Sequence, residues 1–527
     1  MTRINAQALI YRFDNGDMLF SNLNFALDDK ITGLVGRNGV GKSLLASLLT
    51  GERIPYSGFV TTFCRVGWLK QDSVEEIPVL YETVSDFLGV RHRLEALTRI
   101  TAGGCDPHDF ELIDDNWQLQ ANLEQQLQAL GLPVDPFLRC DALSGGQLTR
   151  LALYQLFQSN YGYLILDEPG NHLDEQGKNW LIEQMMHFNG GILIISHDRE
   201  ILGYVDDILE LNTLGIHHYG GSYEVYTKQR ASELNSLERQ IKHVNSEINL
   251  IRQTMQNNRE KAQQRASQGK QVARSGSQAK VILNTLKHSA ESSYGSQESN
   301  QNRKLLQIQE QLSSLNRKHE LFKQQSLSLG KVEKRALRIL DITEVRLPYI
   351  RHKNEITFSV DFGEKIHLSG KNGSGKSTLL KAISGHLSPV HGNINVREGL
   401  CYLDQHFTLL DNTKSALENL ASFCPHLKET NLRTLLAGIG LKREKAMQAV
   451  VNLSGGERMK ACMLAISHQP DNTLLLLDEP NNHLDLDSRL MLAQALREFN
   501  GSVLIVSHDK DFISDIGISR VISIDGS

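Results

Sequence analysis

The chain has 527 residues, 40% hydrophobic and 22% charged, with a net charge of −5. That length calls for two to four domains, and the composition is that of a globular protein. No apolar run approaches the roughly 18–20 residues of a membrane span. The opening "MTRINAQALIYRFDNG" has no apolar core followed by a small-residue cleavage site, so no signal peptide is expected. Cys64, Cys105, Cys140, Cys401, Cys424 and Cys462 are scattered without a CxxC pair. This argues against zinc or a disulfide framework and fits a reducing cytosol.

The first informative stretch is "ITGLVG", a β-rich run that leads into "GRNGVGKS" (36–43) and then the helical run "LLASLLTG". Strand, GxxxxGK[ST] and helix are the context of a phosphate-binding loop. Gly36, Asn38, Gly39 and Gly41 belong to the loop whose backbone N–H groups close around phosphate, aided by the helix dipole. Lys42 brings charge to the β- and γ-phosphates, and the Ser43 hydroxyl can ligate Mg²⁺. Gln71 follows the short apolar run "VGWLK". Next comes "NWQLQANLEQQLQALG", a predicted helix closed by Gly131, within 72–142. "LSGGQ" (143–147) is followed by "LILDEP" (164–169), an apolar strand ending in Asp167 and Glu168. Asp167 would sit near the metal, and Glu168 can polarise an attacking water. His197 closes the strand "GILIIS".

Residues 224–335 carry 20 Lys and Arg against 10 Glu and no Asp, a net of +10. Leu234, Leu237, Ile241, Val244, Ile248, Ile251 and Met255 recur at alternating steps of 3 and 4. Leu305, Ile308, Leu312, Leu315, His319 and Phe322 do the same. Two heptad runs predict an antiparallel helical hairpin. With about 35 helical residues at 1.5 Å each, either arm would reach about 50 Å. Between the arms lies an acid-free stretch, 261–290, holding Arg265, Lys270, Arg274, Lys280 and Lys287. Its Gly, Ser and Gln content predicts a mobile tip with a short helix at 277–288. The plainer reading is a solvated linker, but a linker needs no coiled coil. Cations on a rigid arm suit a phosphate backbone, and the lack of interleaved aromatics speaks against sequence-specific readout.

Beyond the hairpin the first pattern recurs. "GKNGSGKS" (370–377) contains Gly370, Asn372, Gly373, Gly375, Lys376 and Ser377, followed by Thr378. Gln405, "LSGGE" (453–457), "LLLLDEP" with Asp478 and Glu479, and His508 follow in the same order. The loop lysine and the glutamine are 29 residues apart in both halves, and the aspartate and histidine 30. "DEPGNHLD" (167–174) and "DEPNNHLD" (478–485) differ at one position. A lone histidine or acidic turn is usually structural; matched copies favour nucleotide chemistry. His197 and His508 are therefore expected γ-phosphate contacts, with Gln71 and Gln405 in the metal sets. The interval from glutamine to signature serine is 73 in the first half and 49 in the second. The 24-residue excess reads equally as a tolerated surface insertion or a docking arm.

These residues resemble the ATP-binding cassette superfamily, over both halves. The resemblance implies that each signature motif acts on the nucleotide held by the opposite half. Lys42, Ser43, Gln71, Asp167, Glu168 and His197 would be completed by Ser454, Gly455 and Gly456. Lys376, Ser377, Gln405, Asp478, Glu479 and His508 would be completed by Ser144, Gly145 and Gly146. The "NHLD" tails would meet at the interface, with Asp174 and Asp485 facing across. Leu44, Gly170 and Glu457 depart from the usual pattern without removing a metal ligand or carboxylate, so two competent sites are expected. Phe13 and Tyr349 are candidates for stacking on adenine, each also readable as packing.

Two cassettes in one chain, "NHLD" after "DEP" and a charged helical linker resemble the ABC-F family. This implies an α/β fold with two P-loop cassettes, 1–222 and 336–527, joined by a basic hairpin, 223–335, and no transmembrane segment. It also implies a cytoplasmic monomeric ATPase using ATP and Mg²⁺. Such a protein enters the ribosomal exit site with its linker toward rRNA and peptidyl-tRNA, in translation or in antibiotic protection. No coiled coil is expected after the second cassette. Two other readings stay open: the motor subunit of a membrane transporter and a DNA-acting ATPase.

Overall fold

The computed structural model describes residues 3–14, 16–70, 73–171, 173–274, 280–322, 327, 329–330, 332, 337–348, 355–370, 373–404, 407–469, 472–482 and 484–524. Gln71, Gln405, Asn372 and Tyr349 lie outside the described residues. The chain divides into two compact units: Met1–Glu224 with Gln324–Ser527, and Val225–Lys323.

In the larger unit each half is built on a parallel sheet. The first is six-stranded, in the order Val66–Leu69, Tyr163–Asp167, Gly191–Ile195, Ile31–Val35, Asp207–Asn212 and Gly215–Gly220; only the last strand is antiparallel. The second is five-stranded and parallel: Gly399–Leu403, Asn472–Asp478, Ser502–Val506, Lys365–Ser369 and Arg520–Ser523. A three-stranded antiparallel sheet accompanies each, formed by Met18–Leu27, Ile4–Arg12 and Ser57–Thr62 in the first half.

The apolar strand runs explain the layering. Side chains alternate across a strand, so an uninterrupted run such as "TLLLLD" needs cover on both faces. Leu474 and Leu476 pack with the P-loop helix and the antiparallel sheet. Leu475 and Leu477 pack on the opposite face with Met459, Cys462 and Leu492. All four leucines are fully buried; each contributes roughly 1.5–3 kcal/mol relative to exposure. Leu327, Leu329 and Val332, beyond the hairpin, are buried in the same core.

The extra residues of the first half form the helices Arg91–Thr101 and Pro107–Ile113, a satellite hairpin sealed by Ala96, Leu97 and Ile113. Arg99 and Asp109 pair across it at 2.6 Å. The expected helix is present as Leu119–Ala129, with Gly131 at φ 67° after it. It is not the insertion. It buries Leu123 and Leu127, and the second half has a counterpart in Glu429–Gly438, which buries Leu432 and Leu436. Matching backbone bridges, Thr83 to Arg139 and Ser415 to Ala449, frame both regions. The excess falls between Thr83 and the Leu119–Ala129 helix.

The smaller unit is a pair of helices, Tyr223–Arg274 and Lys280–Phe322, of 52 and 43 residues. At 1.5 Å per residue they span roughly 78 and 65 Å, longer than the heptad runs required. Val244, Ile248 and Ile308 are buried against each other, with Ile251, Leu305, Leu312 and Leu315 alongside. The acid-free stretch is helical up to Arg274 and again from Lys280, not a long loop. The side chains of Arg265, Lys270, Arg274, Lys280 and Lys287 lie outside the described residues. Among the described residues, no helix is long and apolar enough to cross a membrane.

The distinction between core helix and satellite hairpin is measurable. Leu127→Ala should destabilise the protein by about 2–5 kcal/mol, as for a buried leucine that leaves a cavity. Phe110→Ala, on the satellite hairpin, should cost about 1 kcal/mol or less. Denaturant unfolding of the two variants checks this.

Candidate functional site

The first phosphate-binding loop runs from the strand Ile31–Val35 to the helix Lys42–Leu49. Gly41 caps that helix at φ 100°, and a Cβ there would meet Leu19 at 2.7 Å and Phe20 at 2.8 Å. Only glycine fits this backbone and this space. The second loop repeats the geometry, with Gly375 at φ 97° before Lys376–Ile383. Lys42 Nζ donates to Gly36 O at 2.7 Å, and Lys376 Nζ to Gly370 O at 2.7 Å. Both lysines fold back over their own loops.

Around Lys42 lies a cavity of about 470 Å³ lined by Asn38, Gly39, Gly41, Ser43 and Asp167. Glu168, His197 and Phe13 also face it, as do Ser454 and Gly455 from the other half. The counterpart cavity, about 880 Å³, brings Gly373, Gly375, Lys376, Ser377, Thr378 and Glu479 together with His508. Ser144, Gly145 and Gly146 close it from the first half. Gly456 packs instead on the following helix of its own half, its Cβ position 3.2 Å from Ser488 Oγ.

Both signature helices start with a reciprocal cap. Ser144 pairs with Gln147, and Ser454 with Glu457. Glu457 therefore does the work of the usual glutamine, and it also pairs with Lys445. Gly170 has a local reason: a Cβ there would sit 3.0 Å from Ile201.

The charges are buried. Glu168 and Glu479 occupy the left-handed backbone region at φ 49° and 46°, which a non-glycine residue adopts only when its surroundings impose it. Their N–H groups bond Ile195 O at 2.9 Å and Val506 O at 3.0 Å, which anchors the turn to the next strand. Burial pushes both carboxyls up to about 7, more strongly than the nearby lysines pull them down. Each glutamate is thus a base matched to neutral pH. Burial lowers the Lys42 ammonium, opposed by Glu168, Asp485 and Asp167. Burial, Lys42 and Arg489 hold His197 well below its ordinary pKa, so the ring is neutral. Its Nε2 is 2.9 Å from Lys42 Nζ and 3.5 Å from Glu168 Oε1. An ammonium only donates, so Nε2 accepts and the ring proton sits on Nδ1.

Ser377 Oγ donates to Asp478 Oδ1 at 2.9 Å. Ser43 and Asp167 share the first cavity. A hydroxyl beside a carboxylate offers hard oxygen ligands that suit Mg²⁺ when phosphate oxygens and water complete the shell. Among the described residues no cluster of three His, Cys, Asp or Glu forms a cage of its own.

Hydrogen bonds and ion pairs join the two halves. Asn38 N donates to Asp485 Oδ2 at 2.9 Å, and Arg199 pairs with Asp515 at 2.6 Å. Burial would raise Asp485, yet hydrogen bonds from Ser488 and Asn38 hold its carboxyl below the usual range. Asp485 faces across the interface to Asn38 N and also caps its own helix through Ser488 N at 2.8 Å, and Asp174 lines the second cavity. Asp174 caps its own helix through Gly177 N at 2.8 Å and is held by Arg150 of its own half. Arg150 and Lys460 occupy matching positions on the two signature helices.

Two paired halves, each with a phosphate loop facing the other's signature helix, define a tandem ATP-binding cassette protein. The family model described as ABC transporter matches residues 20–171 and 353–482. YheS of Escherichia coli, described as a probable ATP-binding protein, is 32% identical over 502 residues, covering 91% of this chain and 72% of that protein. The ATP-binding protein Uup of Escherichia coli K12 is 30% identical over 526 residues, covering 93% and 75%. The fold is similar to that of a solved RNase-L Inhibitor, at TM-score 0.58 and 18% identity over 98% of this chain and 87% of that one. An archaeal ribosome recycling factor solved with a ribosomal stalk protein gives the same TM-score, 0.58, at 18% identity and the same coverage, 98% and 87%. The chain belongs to the ABC-F family of duplicated ATP-binding cassette proteins, and it is an ATPase.

The glutamates and lysines can be separated by experiment. Glu168→Gln with Glu479→Gln should leave ATP binding within about threefold and slow turnover by about 10²–10⁴-fold. Lys42→Ala with Lys376→Ala should abolish ATP binding itself. A fluorescent-nucleotide titration alongside phosphate release distinguishes the two.

Proposed function

We propose that this protein is a cytoplasmic, monomeric ATPase that acts on the ribosome. Its cassettes, 1–222 and 336–527, close on two Mg²⁺–ATP, and the closed form binds the ribosome. The linker, 223–335, points from the exit site toward rRNA and peptidyl-tRNA, and hydrolysis releases the protein. In this reading Ser43 with Asp167, and Ser377 with Asp478, hold the metals, which screen phosphate charge when bound. Gln71 and Gln405 join those metal sets. Glu168 and Glu479 take the proton of the attacking water, while His197 and His508 contact the γ-phosphate. Ser144 and Ser454, at capped helix N-termini, meet the γ-phosphate of the opposite cassette, so its loss lets the halves part. The role is in translation or in antibiotic protection of the ribosome.

The observation that carries this reading is the helical pair Tyr223–Arg274 and Lys280–Phe322. It belongs to a segment of net +10 in a chain whose net charge is −5. A connector between cassettes that drive a transporter needs neither the length nor the charge. A long basic arm does suit a phosphate backbone. An RNA-bound arm should also be salt-sensitive, because each neutralised phosphate releases counterions.

Co-sedimentation tests the proposal. The Glu168→Gln, Glu479→Gln protein should pellet with ribosomes in ATP, and not with membranes or DNA. Exchanging Arg265, Lys270, Arg274 and Lys280 for glutamine should weaken ribosome binding and flatten its salt dependence while ATP binding persists. Unchanged affinity and unchanged salt slope would reduce the hairpin to a connector.

A further inference from the structure

One side chain at the cassette interface has no counterpart among the motifs. Arg489 stands four residues after Asp485, on the helix Leu486–Glu498 of the second cassette, with its side chain 13% exposed. Its Nε donates to Leu484 O at 3.2 Å and its Nη1 to Asp509 Oδ2 at 3.1 Å, both within the second cassette. Asp509 is itself fixed as the cap of Lys510–Ile516, accepting from Phe512 N at 2.9 Å. The same Nη1 donates across the interface to His197 O at 3.0 Å. His197 is the residue whose ring touches Lys42 and lies beside Glu168 in the first site. The guanidinium thus ties the main chain of the first cassette's histidine to two rigid points on the second. A planar group with five donors can hold three acceptors at once. Its charge also reaches Glu168 and His197 directly.

The matching position in the first cassette is Lys178, four residues after Asp174. Its ammonium bonds Asp198, the counterpart of Asp509, within its own cassette. Among the described residues it makes no hydrogen bond to the second cassette. Lys178's charge does reach His508, and Arg489 also lines the second cavity; what sets the first site apart is the hydrogen bond to His197 O, beside a histidine side chain 5% exposed against 54% for His508.

We propose that Arg489 is a positioning residue supplied in trans to the first site: by holding His197 O, it sets the histidine ring and the Glu168 carboxylate against the γ-phosphate only while the cassettes are paired. No bond changes hands at Arg489. It restricts the approach geometry of groups that do react, and geometry of that kind governs turnover more than affinity. The proposal rests on the reading that Glu168 and Glu479 drive separate sites.

Single-turnover hydrolysis of pre-bound ATP tests it in two backgrounds. In the Glu479→Gln protein only Glu168 remains to drive hydrolysis; in the Glu168→Gln protein only Glu479 remains. Arg489→Met should slow hydrolysis about tenfold in the first background, with bound ATP within twofold. The slowing should be at least fivefold greater there than in the second background. Arg489→Lys should stay at least about threefold below its parent in the first background, since the lysine at the matching position, Lys178, bonds Asp198 of its own cassette. Equal slowing in both backgrounds, or a loss of bound ATP that accounts for the rate, would overturn the proposal. So would a lysine variant that hydrolyses at its parent's rate in the first background. Single-glutamine parents that are equally inert before Arg489 is altered would instead overturn the reading of two separately driven sites, and the inference with it.

Discussion

A buried ammonium is expensive, and Lys42 is such a group. Its position is dictated by the loop that must present it to phosphate. The structure offsets the cost in three ways. The ammonium bonds Gly36 O and the neutral His197 ring. Carboxylates from the same cassette, Asp167 and Glu168, surround it. A third carboxylate, Asp485, arrives from the other cassette and is itself held in place by Asn38 N. Pairing of the halves is therefore part of the electrostatics of the site. The same burial that lowers the lysine raises the glutamates, and it makes them bases suited to neutral pH.

Two sites built from one repeated set of motifs need not be equal. The motifs match almost residue for residue, but the residues that join the cassettes do not. Arg150 corresponds to Lys460, and Lys178 to Arg489. Arginine can serve several acceptors from one position, whereas lysine concentrates its charge on one point. Arg150 takes Asp174 for its own cassette; Asp485 crosses to the first loop. Arg489 crosses to His197 while Lys178 stays at home. The smaller cavity belongs to the site with the crossing contacts. These differences fall on residues beside the interface and leave the motif residues in place.

The tandem cassette fold was legible because its motifs are local. A strand, a glycine loop and a helix must be contiguous to cradle phosphate, so their spacing survives duplication unchanged. The hairpin was legible because a heptad repeat states its own partner face, and Val244, Ile248 and Ile308 do meet. The insertion was harder to place. A helical pattern at 117–130 looks the same whether it packs on a core or stands apart. The buried Leu123 and Leu127 decided the matter, together with the matching helix Glu429–Gly438. The expected tip is narrower than its composition suggested, since the described helices run to Arg274 and resume at Lys280, and residues 275–279 lie outside the described ones. Scattered Gly and Ser lower helix propensity only modestly, and a long helical pair can override them.

From sequence alone came the class of chemistry: two phosphate-binding loops, each followed at fixed intervals by an aspartate, a glutamate and a histidine, a pattern that is legible because a phosphate loop must be contiguous strand, loop and helix. The basic character of the arm was equally plain, being a matter of counting. Only the tertiary structure decided which groups are shared between cassettes. Whether Asp485 reaches Asn38, and whether Arg489 reaches His197, depends on distances between residues hundreds of positions apart. Charge burial is set by that packing, because it is packing that removes water from a lysine or a glutamate. The raised pKa of Glu168, which matches its carboxylate to base chemistry near neutral pH, is therefore a property of the fold and of no local motif.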